Sequence, residues 1–400
     1  MNSKLLGGIL LVIGTTIGAG MLALPLATAE TGFLGSVILL VSCWLVMTVS
    51  AFLFLEVNLS LPANTNIISM AGATLGNGGQ AVAWITYLML LYSILCAYIA
   101  GGSDIFHYLL FASHIQTPAS ASAILFTVIL GMVVCFGVRL VDYVNRGLMF
   151  GKLGAYFLLV LLILPFISLH QLASVHIEHI GNVTGLTVAA VSFGSLMIIP
   201  TLRGYFGEDI KSLRKAVFIG MFIPLICYIA WDMVIMGVIP LDGLHGLKAL
   251  LHSNNSNSEL IATLTSLVNR DVISVLVKFF TSICMATSFL SISLSLSDFL
   301  ADGFGVAKKG KSGVFIYAAT FLPPLLIVLF YPGVFIQALQ YAGISCIILM
   351  ILLPSLMAYR GRYHCDLMQD YQVKGGKILL ALLVIFATLL IGQDLLMKAL

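Results

Sequence analysis

The sequence predicts an all-α polytopic membrane protein with about eleven transmembrane helices. Of its 400 residues, 60% are hydrophobic and only 9% are charged, whereas an average soluble domain carries about 25% charged residues. So few charges do not cover a water-soluble globule of this length, which excludes a soluble enzyme, a nucleic-acid-binding protein and a disordered chain. The net charge of +3 indicates no polyanionic partner. The low share of charged residues predicts that a lipid bilayer surrounds the chain.

The first half of the chain contains five predicted spans. A helix needs about 20 apolar residues to cross a bilayer, and such runs lie at roughly 5–30, 33–58, 80–111, 121–140 and 147–168. The first run also imitates a signal peptide, because Lys4 precedes an apolar stretch that ends in small residues. Its internal glycines and Pro25 fit a broken transmembrane helix better.

The second half repeats this organisation. Its apolar runs lie at roughly 184–204, 214–239, 270–299, 312–330, 334–358 and 376–397. We therefore expect one membrane domain over residues 1–400, with a first five-helix repeat at 1–168, a second at 184–358 and an eleventh helix at 376–398. Because five is an odd number, the second repeat is predicted to lie inverted in the membrane.

The lysines and arginines predict the orientation. With the N-terminus in the cytoplasm, 15 of the 19 fall on the inner side, among them Lys152, and 3 on the outer side, while Lys278 falls within a span. Positive charge accumulates on the cytoplasmic side of membrane proteins. The odd number of spans then places the C-terminus in the periplasm.

The first and sixth spans are interrupted in similar ways. Each has a centre rich in Gly, Ser and Thr, followed by a proline: Gly14 to Pro25 in one and Ser192 to Pro200 in the other. Backbone groups left unpaired in lipid cost several kcal/mol each, so broken helices in matching positions of two halves indicate a binding site at the midplane. Freed N–H groups suit a carboxylate and freed carbonyls suit an ammonium. The alternative is close packing of helices through small residues.

These residues resemble the hydroxy/aromatic amino acid permease family of the amino acid–polyamine–organocation superfamily. The resemblance starts at Gly14-Thr15-Thr16-Ile17-Gly18-Ala19-Gly20-Met21-Leu22-Ala23-Leu24-Pro25 and continues in order over nearly the whole chain. Further matching segments are Leu55-Glu56-Val57, Ala97-Tyr98-Ile99, Ser192-Phe193-Gly194, Ala286-Thr287-Ser288-Phe289-Leu290, Phe321-Leu322-Pro323-Pro324 and Tyr341-Ala342-Gly343.

The resemblance implies the leucine-transporter type of fold, with five plus five inverted helices and an eleventh appended. It also implies proton-coupled import of an aromatic amino acid such as tyrosine across the bacterial inner membrane, by alternating access in a secondary active transporter. The sequence departs from the family pattern after Gly194, where Ser195-Leu196-Met197-Ile198 replaces an aromatic residue, a histidine and small residues. This departure leaves open which amino acid is transported and which ion drives transport. The alternatives are another neutral amino acid as substrate and sodium as the coupling ion.

The resemblance also assigns substrate-binding residues. Those expected to hold the backbone ends of the substrate are Thr15, Thr16, Gly18, Ala19 and Gly20, with Ser192, Phe193, Gly194 and Ser195 opposite. Phe193 is expected either to form a wall of the side-chain pocket or to pack in the core. Tyr98 is the pocket candidate on the third span, with a simple packed tyrosine as the alternative.

Four further residues are candidates for the handling of ions. Thr287 and Ser288 are adjacent hydroxyls on the eighth span; sodium-coupled relatives of the fold place such a pair at a cation, although hydroxyls in helices often bond to their own backbone. Asp232 and Lys278 lie at similar predicted depths, roughly 10 Å from the outer ends of their spans, which suggests an intramembrane ion pair. Alternatively, Lys278 extends outward to the lipid headgroups.

No chemistry beyond transport is predicted. The sequence contains no Walker motif, HExxH motif or paired-aspartate motif, so we expect no cofactor, no catalytic residue and no nucleic-acid partner. His176 and His179 lack the helical i, i+4 spacing of a zinc site, and we expect no metal. A channel and an intramembrane enzyme are the remote alternatives.

Overall fold

The structure is a computed structural model and describes residues 3–18, 20–63, 65–173, 181–365 and 371–399. Ala19 and the segment containing His176 and His179 lie outside the described residues. Within these ranges the chain contains helices and no strand, in the order α1 (Ser3–Thr16), α2 (Gly20–Ala27), α3 (Gly32–Leu59), α4 (Ile67–Ala112), α5 (Ala119–Cys135), α6 (Val138–Ile163), α7 (Leu169–Leu172), α8 (Val183–Ser192), α9 (Ile199–Phe206), α10 (Ile210–Val238), α11 (Leu247–Leu251), α12 (Ser256–Val268), α13 (Asp271–Phe304), α14 (Gly310–Phe330), α15 (Phe335–Ile347), α16 (Leu353–Tyr363) and α17 (Gly376–Ala399).

The all-α polytopic prediction is confirmed. Among the described residues, nine helical segments are long and apolar enough to cross a membrane, and α1 with α2 forms a tenth that is bent by 56°. The fourth predicted span corresponds to α5, which has 17 residues. At 1.5 Å per residue α5 is about 25 Å long, slightly less than a typical hydrocarbon core of about 30 Å. The inverted repeat remains a prediction.

The predicted boundary between the fourth and fifth spans is wrong. Helix α5 ends at Cys135, and α6 begins at Val138, directly after Gly137. Gly137 has a φ of +98°, a conformation that favours glycine, so the chain turns there instead of in the loop expected after residue 140. Lys152, counted above among the inner-loop charges, therefore lies inside α6 with 2% of its surface exposed.

The polar stretch between the seventh and eighth spans is helical. It contains α11 and α12, and Ser256 and Asn257 at the start of α12 are buried. The Ser258 amide donates a 2.9 Å hydrogen bond to the Asp104 carboxylate of α4, and the Ser258 hydroxyl donates another at 2.5 Å. A carboxylate is favourable at a helix N-terminus because it faces the positive end of the helix dipole. The segment is thus attached to the bundle instead of being a loose loop.

Helix α10 begins with an aspartate cap on the side predicted to be cytoplasmic. The Asp209 carboxylate accepts a 3.0 Å hydrogen bond from the Ser212 amide. Hydrogen bonds from the Ser212 hydroxyl and amide hold the pKa of this exposed carboxyl below its usual value. This carboxyl therefore stays ionised at neutral pH, and its contribution to stability is lost as the pH falls through the lowered pKa.

The two interrupted spans lie in the interior of the bundle. Helix α1 packs along α10, and α2 packs against α8, while α15 contacts both α4 and α8. Helix α13 packs between α4 and α6. All eight residues of α2 are buried. This arrangement places the breaks of both spans against α4, α10, α13 and α15.

Candidate binding site

The break in the first span leaves two carbonyl groups with side-chain partners. Helix α1 ends at Thr16 and α2 starts at Gly20, so the carbonyl oxygens of Thr16 and Ile17 lack the amide partners of a continuous helix. The Tyr228 hydroxyl lies 2.7 Å from the Thr16 oxygen, and the Lys152 ammonium donates to the Ile17 oxygen at 2.8 Å. Lys152 therefore satisfies the Ile17 oxygen, and the Tyr228 hydroxyl is placed to satisfy that of Thr16.

The hydroxyls at these breaks are bonded to their own helices. Thr15 and Thr16 both donate to the Val12 carbonyl, at 2.9 and 2.7 Å, and Ser192 donates to the Val188 carbonyl at 2.9 Å. Each hydroxyl has one hydrogen to donate but keeps lone pairs. These three side chains can therefore still accept a hydrogen bond from a ligand.

The break in the sixth span has a different shape. Helix α8 ends at Ser192, a 3₁₀ turn covers Leu196–Ile198, and α9 begins at Ile199. The Gly194 amide donates to the Val191 carbonyl and the Ser195 amide to the Phe193 carbonyl, at 2.9 and 2.8 Å. The segment Val183–Phe206 still runs as one span of 24 residues, so this interruption is local unwinding, without the sharp bend of the first span.

The two breaks touch each other. The Tyr228 hydroxyl lies 2.8 Å from the Ser192 carbonyl as well as 2.7 Å from that of Thr16, and its single hydrogen can serve either oxygen. A methyl group placed on Gly20 would lie 2.9 Å from the Ser192 hydroxyl oxygen, so only glycine permits this approach. Tyr228 and Gly20 thus join the predicted binding elements of the two spans.

A cavity of about 590 Å³ lies at this junction. Its lining includes nearly all the sequence-predicted site residues that the structure describes: Thr15, Thr16, Gly18, Gly20, Tyr98, Ser192, Gly194, Ser195, Thr287 and Ser288. Ser288 is a hydrogen-bond partner of the Tyr98 phenol, while Thr287 donates to the Ile283 carbonyl of its own helix at 2.8 Å. The structure therefore brings the two halves of the predicted site to one cavity, together with Thr287 and Ser288, two of the four ion candidates.

Phe193 lies in the core, the alternative position considered for it. Its side chain is fully buried, does not line the cavity, and packs against Tyr228 with ring centroids 5.2 Å apart. The local turn after Ser192 directs this ring away from the cavity. Phe193 consequently supports Tyr228 and does not form a wall of the pocket.

The predicted ion pair between Asp232 and Lys278 is not formed. Asp232 contacts the hydroxyls of Ser36 and Thr28, and the Lys278 ammonium lies 5.3 Å from the centre of the Tyr108 ring. Equal depth in the membrane does not specify the direction in which a helix presents a side chain. Asp232 on α10 and Lys278 on α13 face different neighbours.

Sequence reasoning missed Lys152 and Tyr228. A lysine inside an apolar span is a signal for function, but Lys152 falls near the predicted start of its span and was counted with the loop. Tyr228 carries no such signal, because a tyrosine in an apolar helix is ordinary. Only its position between two carbonyls distinguishes it.

The cavity wall combines opposite polarities. Lys152 and Asp142 are the charged side chains of the described lining, and Asp142 lies exposed at the mouth. Gly20 begins α2, so the positive end of that short helix dipole lies at the wall. Apolar and sulfur-containing side chains complete the lining, among them Ile94, Met149, Met197, Cys346 and Met350. Such a wall suits a ligand that has both charged ends and an apolar part.

Comparisons with known proteins agree with this geometry. Residues 1–393 match the tryptophan/tyrosine permease family. The chain is 32% identical to "Tyrosine-specific transport system 2" of Haemophilus influenzae over 96% of this chain and 95% of that protein. It is 30% identical to the "Tryptophan-specific transport protein" of the same organism, over 97% and 94% of the two chains.

A third relative widens the range of substrates named in the group. "Glutamine transporter 2" of Aliivibrio fischeri is 30% identical over 98% of this chain and 99% of its own length. These similarities cover nearly complete chains, and all three relatives are named as transporters. The protein is therefore an amino acid transporter and not an enzyme, and it belongs to the tryptophan/tyrosine permease family.

Proposed function

We propose that the protein imports an aromatic amino acid, with tyrosine as the first candidate, by proton-coupled alternating access across the bacterial inner membrane. The observation that carries this proposal is the meeting of two interrupted helices at a cavity of about 590 Å³. Small-molecule pockets typically measure about 300–1,000 Å³. An aromatic amino acid fits that volume, and the relatives named for tyrosine and tryptophan support this class of substrate.

The two ends of the amino acid would bind at the breaks. We assign the carboxylate to the start of α2 at Gly20, where the helix dipole is positive, and the ammonium to the lone pairs of Ser192 and Ser195 at the adjoining break of the sixth span. The aromatic side chain would lie between Tyr98 and the methionines of the lining. Methionine sulfur makes favourable contacts with aromatic rings and adapts to their shape.

Lys152 favours protons over sodium as the coupling ion. Its ammonium donates to the Ile17 carbonyl, one of the oxygens at the break that a bound metal cation would otherwise coordinate. Thr287 and Ser288, the predicted cation ligands, line the same cavity and would then hydrogen-bond substrate or water.

The cavity mouth supports an inward-facing conformation. Leu10 and Leu11 of α1 and Asp142 of α6 line the cavity and are exposed. In the orientation predicted from the charges, these residues lie towards the cytoplasm. Transport would then require the two five-helix repeats, 1–168 and 184–358, to move against each other until the mouth closes and the outer side opens.

Another neutral amino acid is the second candidate substrate. The relative named for glutamine favours it. The position of Phe193 also favours it, because the cavity lining has one aromatic side chain fewer than predicted. The substrate and the coupling ion are both decided by one experiment.

That experiment measures uptake of labelled tyrosine, tryptophan, phenylalanine and glutamine into proteoliposomes that contain the purified full-length protein. A proton gradient and a sodium gradient are imposed separately. We expect tyrosine to accumulate above its external concentration with the proton gradient alone. Accumulation driven by sodium alone would contradict the coupling, and selective accumulation of glutamine would contradict the aromatic substrate.

A further inference from the structure

Asp232 is a buried acid that lies outside the cavity. It lies in α10 with none of its surface exposed, and it is absent from the cavity lining. Its Oδ2 atom contacts the hydroxyls of Ser36, at the start of α3, and of Thr28, at the end of α2, while its Oδ1 atom has no hydrogen-bond partner among the described residues. One side chain therefore links the second half of the first span to the second and seventh spans.

The contact with Thr28 shows how a proton would be accommodated. The Thr28 hydroxyl lies 2.8 Å from the Leu24 carbonyl, at helical spacing, and 3.3 Å from Asp232 Oδ2. A threonine hydroxyl has one hydrogen, and the shorter distance assigns it to Leu24. With a deprotonated Asp232 this one hydrogen serves only one of the two acceptors, whereas a protonated Asp232 donates its own hydrogen to Thr28 and both contacts are then hydrogen bonds.

Among the described residues, no positively charged side chain compensates Asp232. The neighbouring polar groups are the two hydroxyls and the phenol of Tyr156, which donates its hydrogen to the Cys227 carbonyl at 2.8 Å. Lys278 lies over the Tyr108 ring, and Glu30 accepts a hydrogen bond from Asn182. A buried carboxylate without a cation or a full set of donors is strongly disfavoured, and such groups become neutral instead.

We propose that Asp232, with Thr28 and Ser36, forms the binding site of the coupling proton. This inference rests on the proposed proton-coupled transport. In the present conformation the carboxyl is neutral and closed off from the cavity. When the outer side opens, α2 and the start of α3 separate from α10, water reaches the carboxylate, and a proton from that water binds to one carboxylate oxygen. Once neutral, the group can return to its buried position, so burial is coupled to proton uptake.

The test compares two kinds of transport by the full-length protein in proteoliposomes. Gradient-driven accumulation of tyrosine requires proton coupling, whereas exchange between preloaded and external tyrosine requires only alternating access. Asp232→Asn replaces the acid with a neutral group of the same shape. We expect this variant to keep exchange at a rate within about threefold of wild type, to lose accumulation, and to lose the pH dependence of uptake.

The matched control is Asp394→Asn, which makes the same change at another buried acid. Asp394 lies in α17, accepts a hydrogen bond from Gln340 and is not part of the proposed site. It should accumulate tyrosine like the wild type. If Asp232→Asn also accumulates tyrosine with an unchanged pH profile, the proton site is wrong while proton-coupled transport stands. If the wild type itself gives no proton-driven accumulation, the proposed function fails first.

Ser36→Ala covers the case in which Asp232→Asn does not fold. This variant keeps the acid but removes a hydroxyl that donates to it, so we expect accumulation with a pH profile displaced from that of the wild type. An unchanged profile would overturn the proposal. Sodium-dependent uptake by the wild type that Asp232→Asn abolishes would also overturn it, because the carboxylate would then bind a metal ion.

Discussion

Two side chains hold the carbonyl groups that the break in the first span leaves free. Lys152 donates to the Ile17 oxygen, and the Tyr228 hydroxyl lies between the oxygens of Thr16 and Ser192. An unpaired buried acceptor costs about 1–3 kcal/mol, so these side chains make the interrupted backbone stable in the bundle. They do so with groups that also line or adjoin the cavity.

Replacing Lys152 by Met should abolish gradient-driven uptake of tyrosine. Methionine fills a similar volume but leaves the Ile17 carbonyl without its partner, which should cost about 1–3 kcal/mol at the break. Initial uptake rates in proteoliposomes measure the effect, with the amount of inserted protein used for normalisation.

Lys278→Met is the control for this change, because Lys278 is a span lysine that lies over Tyr108 and does not line the cavity. The control should retain most of the wild-type rate. Uptake by Lys152→Met at the rate of this control would show that the ammonium is dispensable.

At the scale of elements, the contact between α2 and α8 decides how closely the two interrupted spans meet. Gly20 starts α2, and Ser192 ends α8. A methyl group on Gly20 would meet the Ser192 hydroxyl, which is itself held by the Val188 carbonyl at 2.9 Å. Any side chain on residue 20 must displace that hydroxyl or separate the helices.

Gly20→Ala should therefore destabilise the protein. Overpacking a well-packed contact costs about 1–3 kcal/mol, and the new methyl group would lie 2.9 Å from the Ser192 oxygen. Thermal unfolding in detergent, followed by intrinsic fluorescence, measures the loss. Adding Ser192→Ala removes the clashing oxygen and should restore most of the stability.

Gly147→Ala provides the comparison, since a methyl group at this position of α6 meets no atom within 4 Å. Alanine is favoured over glycine in a helix by about 1 kcal/mol, so this variant should be at least as stable as wild type. Equal destabilisation by the two alanine variants would contradict the steric explanation.

At the scale of the whole molecule, one buried ion pair joins distant parts of the chain. Glu56 near the end of α3 is fully buried, and Arg362 of α16 donates to both of its carboxylate oxygens at 2.6 Å. The Val373 amide, in the segment before α17, also donates to Glu56 at 2.7 Å. This cluster ties the second, tenth and eleventh spans together on the side predicted to be cytoplasmic.

Arg362→Gln should lower the unfolding stability strongly. Removing one partner of a buried ion pair costs about 3–5 kcal/mol because the other charge stays buried without compensation. The double variant Glu56→Gln/Arg362→Gln removes both charges and should recover part of the loss. Thermal unfolding in detergent compares the single and double variants.

Lys248→Gln is the matched control, because Lys248 pairs with Asp242 at 2.9 Å with 44% and 75% of the two side chains exposed. Exposed pairs contribute about 0–1 kcal/mol. A loss of stability in Arg362→Gln no larger than in this control would mean that the cluster does not hold the spans together.

The site was predictable where the sequence carries a backbone signal and unpredictable where it does not. Clusters of Gly, Ser and Thr followed by proline indicate the breaks from sequence alone, because they recur at matching positions of the two halves and freed backbone groups persist in lipid only where they are buried in protein or line a cavity. The side chains around the breaks are different. Their contacts depend on how each helix is rotated and where it begins. A shift of one residue in a helix would change the direction of Phe193, the partners of Asp232 or the position of Lys152.

The sequence by itself determined that the chain is an all-α membrane protein, and it indicated most of the candidate spans and where two of them are interrupted. These features follow from the transfer of apolar residues into lipid and from the need to pair backbone groups there, and both act along the chain. Only the tertiary structure decided that the two breaks meet at Tyr228, that Lys152 donates to the Ile17 carbonyl, and that Asp232 faces two hydroxyls instead of Lys278. These are contacts between helices far apart in sequence, and they are set by the packing of side chains across the bundle.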